Sequence, residues 1–391
     1  MQTKELLQKY IKISDFELEN ARDNAIKIIL GNLENFTDYF PSSASKNNFY
    51  PRSKNVEWTT GFWTGEIWLA YECTKNPKLK KVGNYQVKSF LNRIEEKIDT
   101  DNHDMGFLYS PSCVASYQLT GNETAQKAAL LAADNLLERF QEKGEFFQAW
   151  GRLGDKDNYR LIIDCLLNMP LLFWASDVTG NPKYADRASR HIRTAMNYVI
   201  RPDYSTYHTY FFDVETGQPL RGVTVQGNRD GSAWARGQAW GIYGSALSYK
   251  RLRNPEYIET FKKLTDFFLS NLPSNLIPYW DFDFNDGSEE PRDSSASAIA
   301  ICGILEMAKY MCKDDAEYYV DMAKRLLKAL VDHCAVTDNS ESNGLLLHGT
   351  YARSTENNPC NNSGVDECNT WGDYYYLEAL IRLTTDWTSY W

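Results

Sequence analysis

Two aspartates 60 residues apart carry the first chemical signal in the sequence. Asp104 stands between His103 and the run Met105-Gly-Phe107, and Asp164 is the one charge in the apolar run Leu161-Ile-Ile-Asp-Cys-Leu-Leu-Asn168. A carboxyl group among apolar neighbours is either paired with a partner or held with a raised pKa, and the second state suits a general acid near neutral pH. The structural alternatives are an N-cap or an ion pair with an Arg for Asp164, and a loop-capping role for Asp104. Around them stand Trp58 in Trp58-Thr-Thr-Gly-Phe-Trp63, Trp150 in Trp150-Gly-Arg-Leu-Gly-Asp155, and His208 in Tyr207-His-Thr-Tyr-Phe-Phe-Asp213. The stretch Gln226–Trp240 adds Gln226, Arg236 and Trp240. Aromatic faces that stack on sugar rings, with Asp, Gln and His to take hydroxyls, make a carbohydrate pocket. Arg236 and Trp240 are one helical turn apart and share a face. Arg is the natural bidentate partner of a substrate carboxylate, and a salt bridge to a nearby Asp is the alternative. His103 and His208 read either as substrate hydrogen-bonding groups or as structural histidines.

Other chemistries are poorly served. The balance of 42 Lys and Arg against 52 Asp and Glu gives a net charge of −10, which disfavours nucleic acid and anionic membranes as partners. The five His make no H-x-x-H or H-E-x-x-H pattern and no Cys pair is spaced as C-x-x-C, so no metal or other cofactor is expected. Neither a phosphate-binding G-x-x-x-x-G-K-[ST] loop nor a G-x-S-x-G elbow occurs. No run approaches the roughly 18 apolar residues of a membrane helix, and the opening Met1-Gln-Thr-Lys-Glu5 lacks the pattern of a secretion signal. Eight scattered cysteines read as free thiols in a reducing compartment, so a cytoplasmic location is expected.

The residues just named need elements to position them. Helical apolar spacing dominates, and a turn phrase recurs between helical stretches. It reads Tyr71-Glu-Cys-Thr-Lys-Asn-Pro77, Tyr117-Gln-Leu-Thr-Gly-Asn122 and Ser176-Asp-Val-Thr-Gly-Asn-Pro182, with weaker copies at Tyr249–Pro255 and Tyr310–Asp315. A left-handed residue followed by Asn or Asp, often with Pro next, ends one helix and caps another. Five helical hairpins follow, with first helices near 61–73, 109–119, 160–178, 233–250 and 293–312. Their partners run near 80–98, 123–142, 183–199, 256–271 and 316–336. The stretches 14–32 and 371–386 pair as a sixth hairpin. Twelve helices in six hairpins predict an all-α (α/α)6 barrel as a single domain over residues 1–391, with an open solenoid as the competing architecture. The loops that precede the inner helices are rich in Gly, Trp, His and Asp, and in a closed barrel they converge on one mouth.

At these motifs the sequence resembles the unsaturated glucuronyl hydrolases of glycoside hydrolase family 88. The likeness runs from about Asn55 to Tyr376 through Asn55–Glu66, His103–Phe107, Asp164–Asn168, Gln226–Trp240 and Gly364–Tyr374. The resemblance implies the same (α/α)6 barrel, and a substrate made by polysaccharide lyases: an oligosaccharide ending in a 4,5-unsaturated uronic acid. It implies hydration of the C4=C5 vinyl ether, with Asp164 as general acid and base and Asp104 as a stabilising carboxylate. Trp58, His103, Trp150, His208, Gln226, Arg236 and Trp240 become substrate contacts, with Arg236 assigned to the uronate carboxylate. Family members that prefer sulfated glycosaminoglycan fragments carry Ser-x-x-Ser-x-Lys after His-Gly-Thr-Tyr. Here His348-Gly-Thr-Tyr351 is followed by Ser354, Asn357 and Pro359 at those places, with Arg353 and Glu356 beside them. Unsulfated chondroitin or hyaluronan disaccharides are therefore expected. The alternatives are an unsaturated rhamnogalacturonyl hydrolase acting on pectin fragments, a sugar epimerase on the same barrel, and a non-catalytic carbohydrate-binding protein. Oligomeric state has no signature in the sequence.

Overall fold

In the computed structural model, Leu7 and residues 9–391 are described. The opening Met1–Glu5, read above for a leader, lies outside them. Twelve helical stretches run from Asp15 onward. They are α1 (Asp15–Asn32), α2 (Thr60–Thr74), α3 (Pro77–Glu95), α4 (105–120), α5 (Glu123–Glu138) and α6 (163–179). Then come α7 (Pro182–Tyr198), α8 (Ala235–Leu252), α9 (Glu256–Ser270), α10 (Ser294–Ala308), α11 (Lys313–His333) and α12 (Thr370–Thr384). Six hairpins result as expected, the sixth made by α12 against α1.

Burial separates an inner ring from an outer one. Every residue from Ala235 to Ser248 in α8 is buried, as are all of α10 and Thr370–Ile381 of α12. These helices are surrounded on all sides, so they show no polar face. The outer helices are amphipathic: α3 buries Leu79, Val82, Val87, Phe90 and Ile94 and exposes its lysines. The inner helices α2, α4, α6, α8, α10 and α12 each touch the next, and α12 returns to α2. The ring is therefore closed, as an (α/α)6 barrel requires, and the open solenoid is set aside.

The recurring turn phrase does what its residues predict. Lys75, Gly121, Gly180 and Arg253 end their helices at φ of 53°, 67°, 71° and 55°. In the first three turns the next residue, Asn76, Asn122 or Asn181, caps the following helix by accepting a backbone N–H from two residues on. The fifth copy departs from the phrase: α10 ends at Lys309 in right-handed geometry, and Cys312 rather than Asp315 precedes α11.

Two further features depart from the sequence reading. Helix α4 begins at Met105, not 109, and contains a π-helical segment at Ser110–Val114. Pro111 has no N–H for the α-helical ladder, and the chain widens by one residue there. Short antiparallel strands, which the sequence does not announce, are also present: β1 (Phe40–Pro41) with β2 (Arg52–Ser53), and β3 (Phe140–Gln141) with β4 (Phe146–Phe147). A three-stranded sheet joins β5 (Arg160–Ile162), β6 (Thr209–Phe212) and β7 (Pro219–Val223), and β8 (Gly349–Ala352) pairs with β9 (Ser363–Glu367). They stiffen the long loops at the end where the inner helices begin. Nothing in a helical period marks them.

Candidate active site

Asp104 precedes the first residue of α4, and Asp164 lies in the 3-10 turn Ile163–Leu167 that opens α6 immediately after β5. The two turns are locked together. Asn168 Oδ1 accepts the Phe107 N–H at 2.9 Å, and a Cβ on Gly106 would meet the Asn168 Cα at 2.3 Å, so only glycine permits the approach. Both carboxylates therefore face one spot, with His103 between them. His103 Nε2 is 3.3 Å from Asp104 Oδ1 and 3.5 Å from Asp164 Oδ1, and all three donor atoms lie within 4.8 Å of one another. The Asp104 and Asp164 side chains keep only 14% and 17% of their surface open.

Burial and mutual repulsion set the charge state. Burial first, and then Asp164 beside it, push the Asp104 carboxyl well above its usual range. Burial raises Asp164 to about 7, against the opposing pull of Arg236 and the backbone N–H groups of Asp164 and Cys165. His103 is held far below its ordinary value by burial, and then by the field of Arg139, so it is neutral. Among the described residues neither its Nδ1 nor Asp164 Oδ1 has a hydrogen-bond partner. The pair of carboxylates behaves as one unit that holds a proton near neutrality. Two carboxylates and an imidazole at this spacing also form a set able to hold a cation.

A cavity of about 390 Å³ opens over this cluster, and seven of the nine residues expected at the site line it: Trp58, His103, Asp104, Trp150, Asp164, His208 and Gln226. The Trp58 ring is fixed by a stack on Trp371 (5.2 Å) and by its Nε1–H donating to the Tyr351 hydroxyl at 2.9 Å. His208 Nδ1 accepts the Val225 N–H at 2.8 Å, and burial lowers its pKa to about 3, so the ring is neutral and its proton is on Nε2. A second, contiguous cavity of about 670 Å³ shares Trp58, Asp104 and Tyr351 and runs out past Ser42–Lys46 and Asn362–Gly364.

Two of the nine expected residues are not among those that line this cavity. Arg236 is not on the cavity wall, and both its terminal nitrogens are committed. Nη1 donates to Asp293 Oδ2 at 2.5 Å and to the Thr350 carbonyl at 2.6 Å, while Nη2 donates to the Tyr351 carbonyl at 2.6 Å. Buried beside Asp293, it is the salt bridge named above as the alternative, and it anchors the β8 loop that carries Tyr351. Trp240 is also absent from the wall; its ring packs on Phe107 and Tyr375 at 5.4 and 5.6 Å in the barrel core. Arg353 is equally occupied, paired with Glu290 at 3.2 Å.

Tyr351, Ile162, Val225 and Cys360 line the cavity and were not assigned from sequence. The one usable signal was the His348-Gly349 pair before Tyr351. His348 sits at φ 63°, and a Cβ on Gly349 would meet Asn369 Nδ2 at 2.1 Å, a tight turn that aims the next side chains.

Residues 32–384 match the profile of Glycosyl Hydrolase Family 88. The chain belongs to this family. It is 49% identical over 377 residues to an unsaturated chondroitin disaccharide hydrolase of Streptococcus pneumoniae, covering 96% of this chain and 94% of that one. The crystal structure of an unsaturated glucuronyl hydrolase from Streptococcus agalactiae superposes with a TM-score of 0.95 at 48% identity, over 99% of this chain and 96% of that one. An aspartate-to-asparagine mutant of the Streptococcus agalactiae enzyme complexed with dGlcA-GalNAc6S matches at a TM-score of 0.87 and 44% identity, over 99% and 96% of the two chains. This family member is thus a glycosidase with the expected barrel.

Proposed function

We propose that this enzyme removes the terminal 4,5-unsaturated uronic acid from lyase-generated glycosaminoglycan disaccharides of the chondroitin or hyaluronan type, by hydrating the C4=C5 vinyl ether. The observation that carries the reading is the meeting of Asp104 and Asp164 across neutral His103 beneath aromatic walls. The similarity to chondroitin disaccharide hydrolases over nearly the whole chain supports the substrate class.

Protonated Asp164 delivers its proton to C4, and the alkene electrons leave an oxocarbenium shared by C5 and the ring oxygen. Asp104 stabilises that cation electrostatically and holds ring hydroxyls. Ionised Asp164 then takes a proton from water as its oxygen bonds to C5. The hemiketal at C5 opens to a ketone, and the resulting hemiacetal at C1 collapses to an aldehyde, releasing the leaving sugar as an alcohol. One group acts as acid and then as base, so its pKa must sit near the working pH, and about 7 meets that need. Trp58, Trp150, His208 and Gln226 frame the ring, while the second cavity beyond Trp58 and Tyr351 has room for the leaving sugar.

We read the enzyme as cytoplasmic, in keeping with eight free cysteines, and as a single domain, in keeping with the closed ring of helices. The decisive experiment follows the ultraviolet absorbance of the conjugated alkene in unsaturated chondroitin and hyaluronan disaccharides. Wild type should abolish it and Asp164→Asn should not. Loss on pectin-derived fragments alone would transfer the reading to rhamnogalacturonyl chemistry, and binding without loss would leave a carbohydrate-binding protein.

A further inference from the structure

The segment 385–391 follows α12 without helix or strand, yet Trp387, Tyr390 and Trp391 are all buried. It folds back across the end of the barrel where the inner helices finish. Trp387 Nε1 donates at 2.8 Å to Glu72 Oε2, in the last turn of α2, and the Tyr390 hydroxyl donates to the same oxygen. The Arg382 guanidinium lies 4.7 Å from the centre of the Trp387 ring. These two side chains close that end.

Trp391 goes further in. Its Nε1 donates to Glu378 Oε2 at 2.8 Å, an oxygen other than the one that takes Arg382, and its carbonyl accepts the Lys250 ammonium at 2.6 Å. The indole stacks on Tyr375 at 6.0 Å and 24°, and meets Tyr374 and Phe107 edge to face at 5.9 and 6.4 Å. Lys250, Phe107 and Tyr375 belong to α8, α4 and α12, every second helix of the inner ring. A residue that touches all three lies on the barrel axis. Phe107 is the third residue of α4 and Tyr375 is in the second turn of α12, so the indole reaches toward the end where the inner helices begin.

The catalytic turn rests on that indole. Phe107 follows Asp104 by three residues, and its ring lies 5.5 Å from Trp58 and 5.4 Å from Phe62. Its backbone is tied to the Asp164 turn through Asn168, while its side chain leans on Trp391. A close-packed interior that loses a ring leaves its neighbours without contacts on one side, and they move into the space. A displacement of about 1 Å at a reacting group is enough to cost roughly 10²-fold in rate.

We propose that Trp391 is a positioning residue of the reaction: its indole, on the barrel axis, props Phe107 and so holds the Asp104 turn and the Trp58 ring in place against the sugar. The inference rests on the proposed function and goes beyond it, because it gives a part in turnover to a side chain that lines neither cavity.

The test compares Trp391→Gly with Trp387→Gly, with and without free indole, as kcat and KM on an unsaturated chondroitin disaccharide per folded molecule. Trp391→Gly should lower kcat by about 10- to 100-fold with a smaller rise in KM. Free indole fits the space left by the side chain and should restore kcat in that variant, leaving wild type unchanged. Trp391→Phe should keep most of the turnover. Phe107→Leu should also lower kcat, and combining it with Trp391→Gly should cost far less than the product of the two single losses. Trp387→Gly removes the same ring from the same segment without touching Phe107, and should unfold more readily with kcat unchanged. If Trp391→Gly keeps full turnover per folded molecule, or if indole restores its stability but not its kcat, Trp391 only fills space and the inference falls. It falls equally if Trp387→Gly loses as much kcat, or if the losses at Trp391 and Phe107 simply multiply. Should Trp391→Gly fail to fold, Trp391→Leu takes its place in the kcat comparison. A wild type inert to every unsaturated disaccharide removes the proposed function and this inference with it, whereas an active wild type matched by its Trp391 variants overturns the inference alone.

Discussion

The two ends of the barrel treat buried charge in opposite ways. At the end where the inner helices finish, Arg382 meets Glu306 at 2.7 Å, Glu378 at 2.9 Å and the Tyr243 hydroxyl at 2.7 Å. Tyr310 donates to Glu306, and Tyr243 and Trp391 donate to Glu378. Arg382, Lys250 and Lys309 outweigh the burial penalty and hold Glu306 down to about 2. At the end where those helices begin, Asp164 is held up at about 7, and among the described residues an Asp164 oxygen and a His103 nitrogen lack hydrogen bonds and no Lys or Arg pairs with the two aspartates. Depth alone does not decide whether a carboxylate is an anchor or a reagent. The decision lies with the neighbours: a satisfied network fixes the charge, and an unsatisfied one leaves a proton that can be moved.

Removing Asp164 should break the comparison most sharply. Asp164→Asn is expected to lower kcat by roughly 10²–10⁴-fold. The stability sign runs the other way. A folded pKa near 7 against 3.8 unfolded means that the native state binds the extra proton, so stability falls as pH rises through that window. At pH 8 the cost of the buried charge is fully expressed, and Asp164→Asn should then unfold at higher denaturant than wild type, by roughly 2–4 kcal/mol. At pH 4 the two should coincide. An Asn variant less stable than wild type at pH 8 would mean that the carboxylate is an anchor after all.

The reciprocal change is Arg382→Met at the closed end. It strands Glu306 and Glu378 without their cation, and the expected loss is about 3–5 kcal/mol in denaturant titration. Turnover per folded molecule should hold, because the cluster lies away from the cavity wall. Glu306 makes its contribution above pH 4.5, and that contribution is lost as pH falls toward about 2. The smallest effect is in the pH profile of wild type: kcat/KM should fall as pH rises through about 7, approaching tenfold per unit, as the acid loses its proton. A flat profile to pH 9 would reassign the proton donor.

The barrel was legible because its signals are local. A left-handed residue followed by a capping Asn marks a helix junction in four or five letters, and Lys75-Asn76, Gly121-Asn122 and Gly180-Asn181 behave alike. Asp164 was legible for a similar reason, as a charge without local compensation. The surroundings of Arg236 were not legible because its partners are remote: Asp293 comes 57 residues later, and the Thr350 and Tyr351 carbonyls more than a hundred. A motif reports which residue is present, not which of its donors are already taken. Trp240 has no distinguishing feature in sequence, because a wall tryptophan and a core tryptophan look alike.

Ring closure also bears on how the protein is made. Helix α2 packs against α12, yet about 300 residues separate the end of one from the start of the other. At a synthesis rate of roughly 5–20 residues per second, α2 waits some 15–60 s on the ribosome before its neighbour emerges. Through that interval Phe62, Trp63, Ile67 and Trp68, all buried in the finished barrel, have only their earlier neighbours for cover. In three of the hairpins the outer helix follows its inner partner after a two-residue turn, at Lys75-Asn76, Gly121-Asn122 and Gly180-Asn181, so part of each apolar surface is shielded almost as soon as it is made. Hairpin by hairpin growth thus limits what a nascent chain exposes to aggregation, and chaperone demand should be greatest just before the last helix is released.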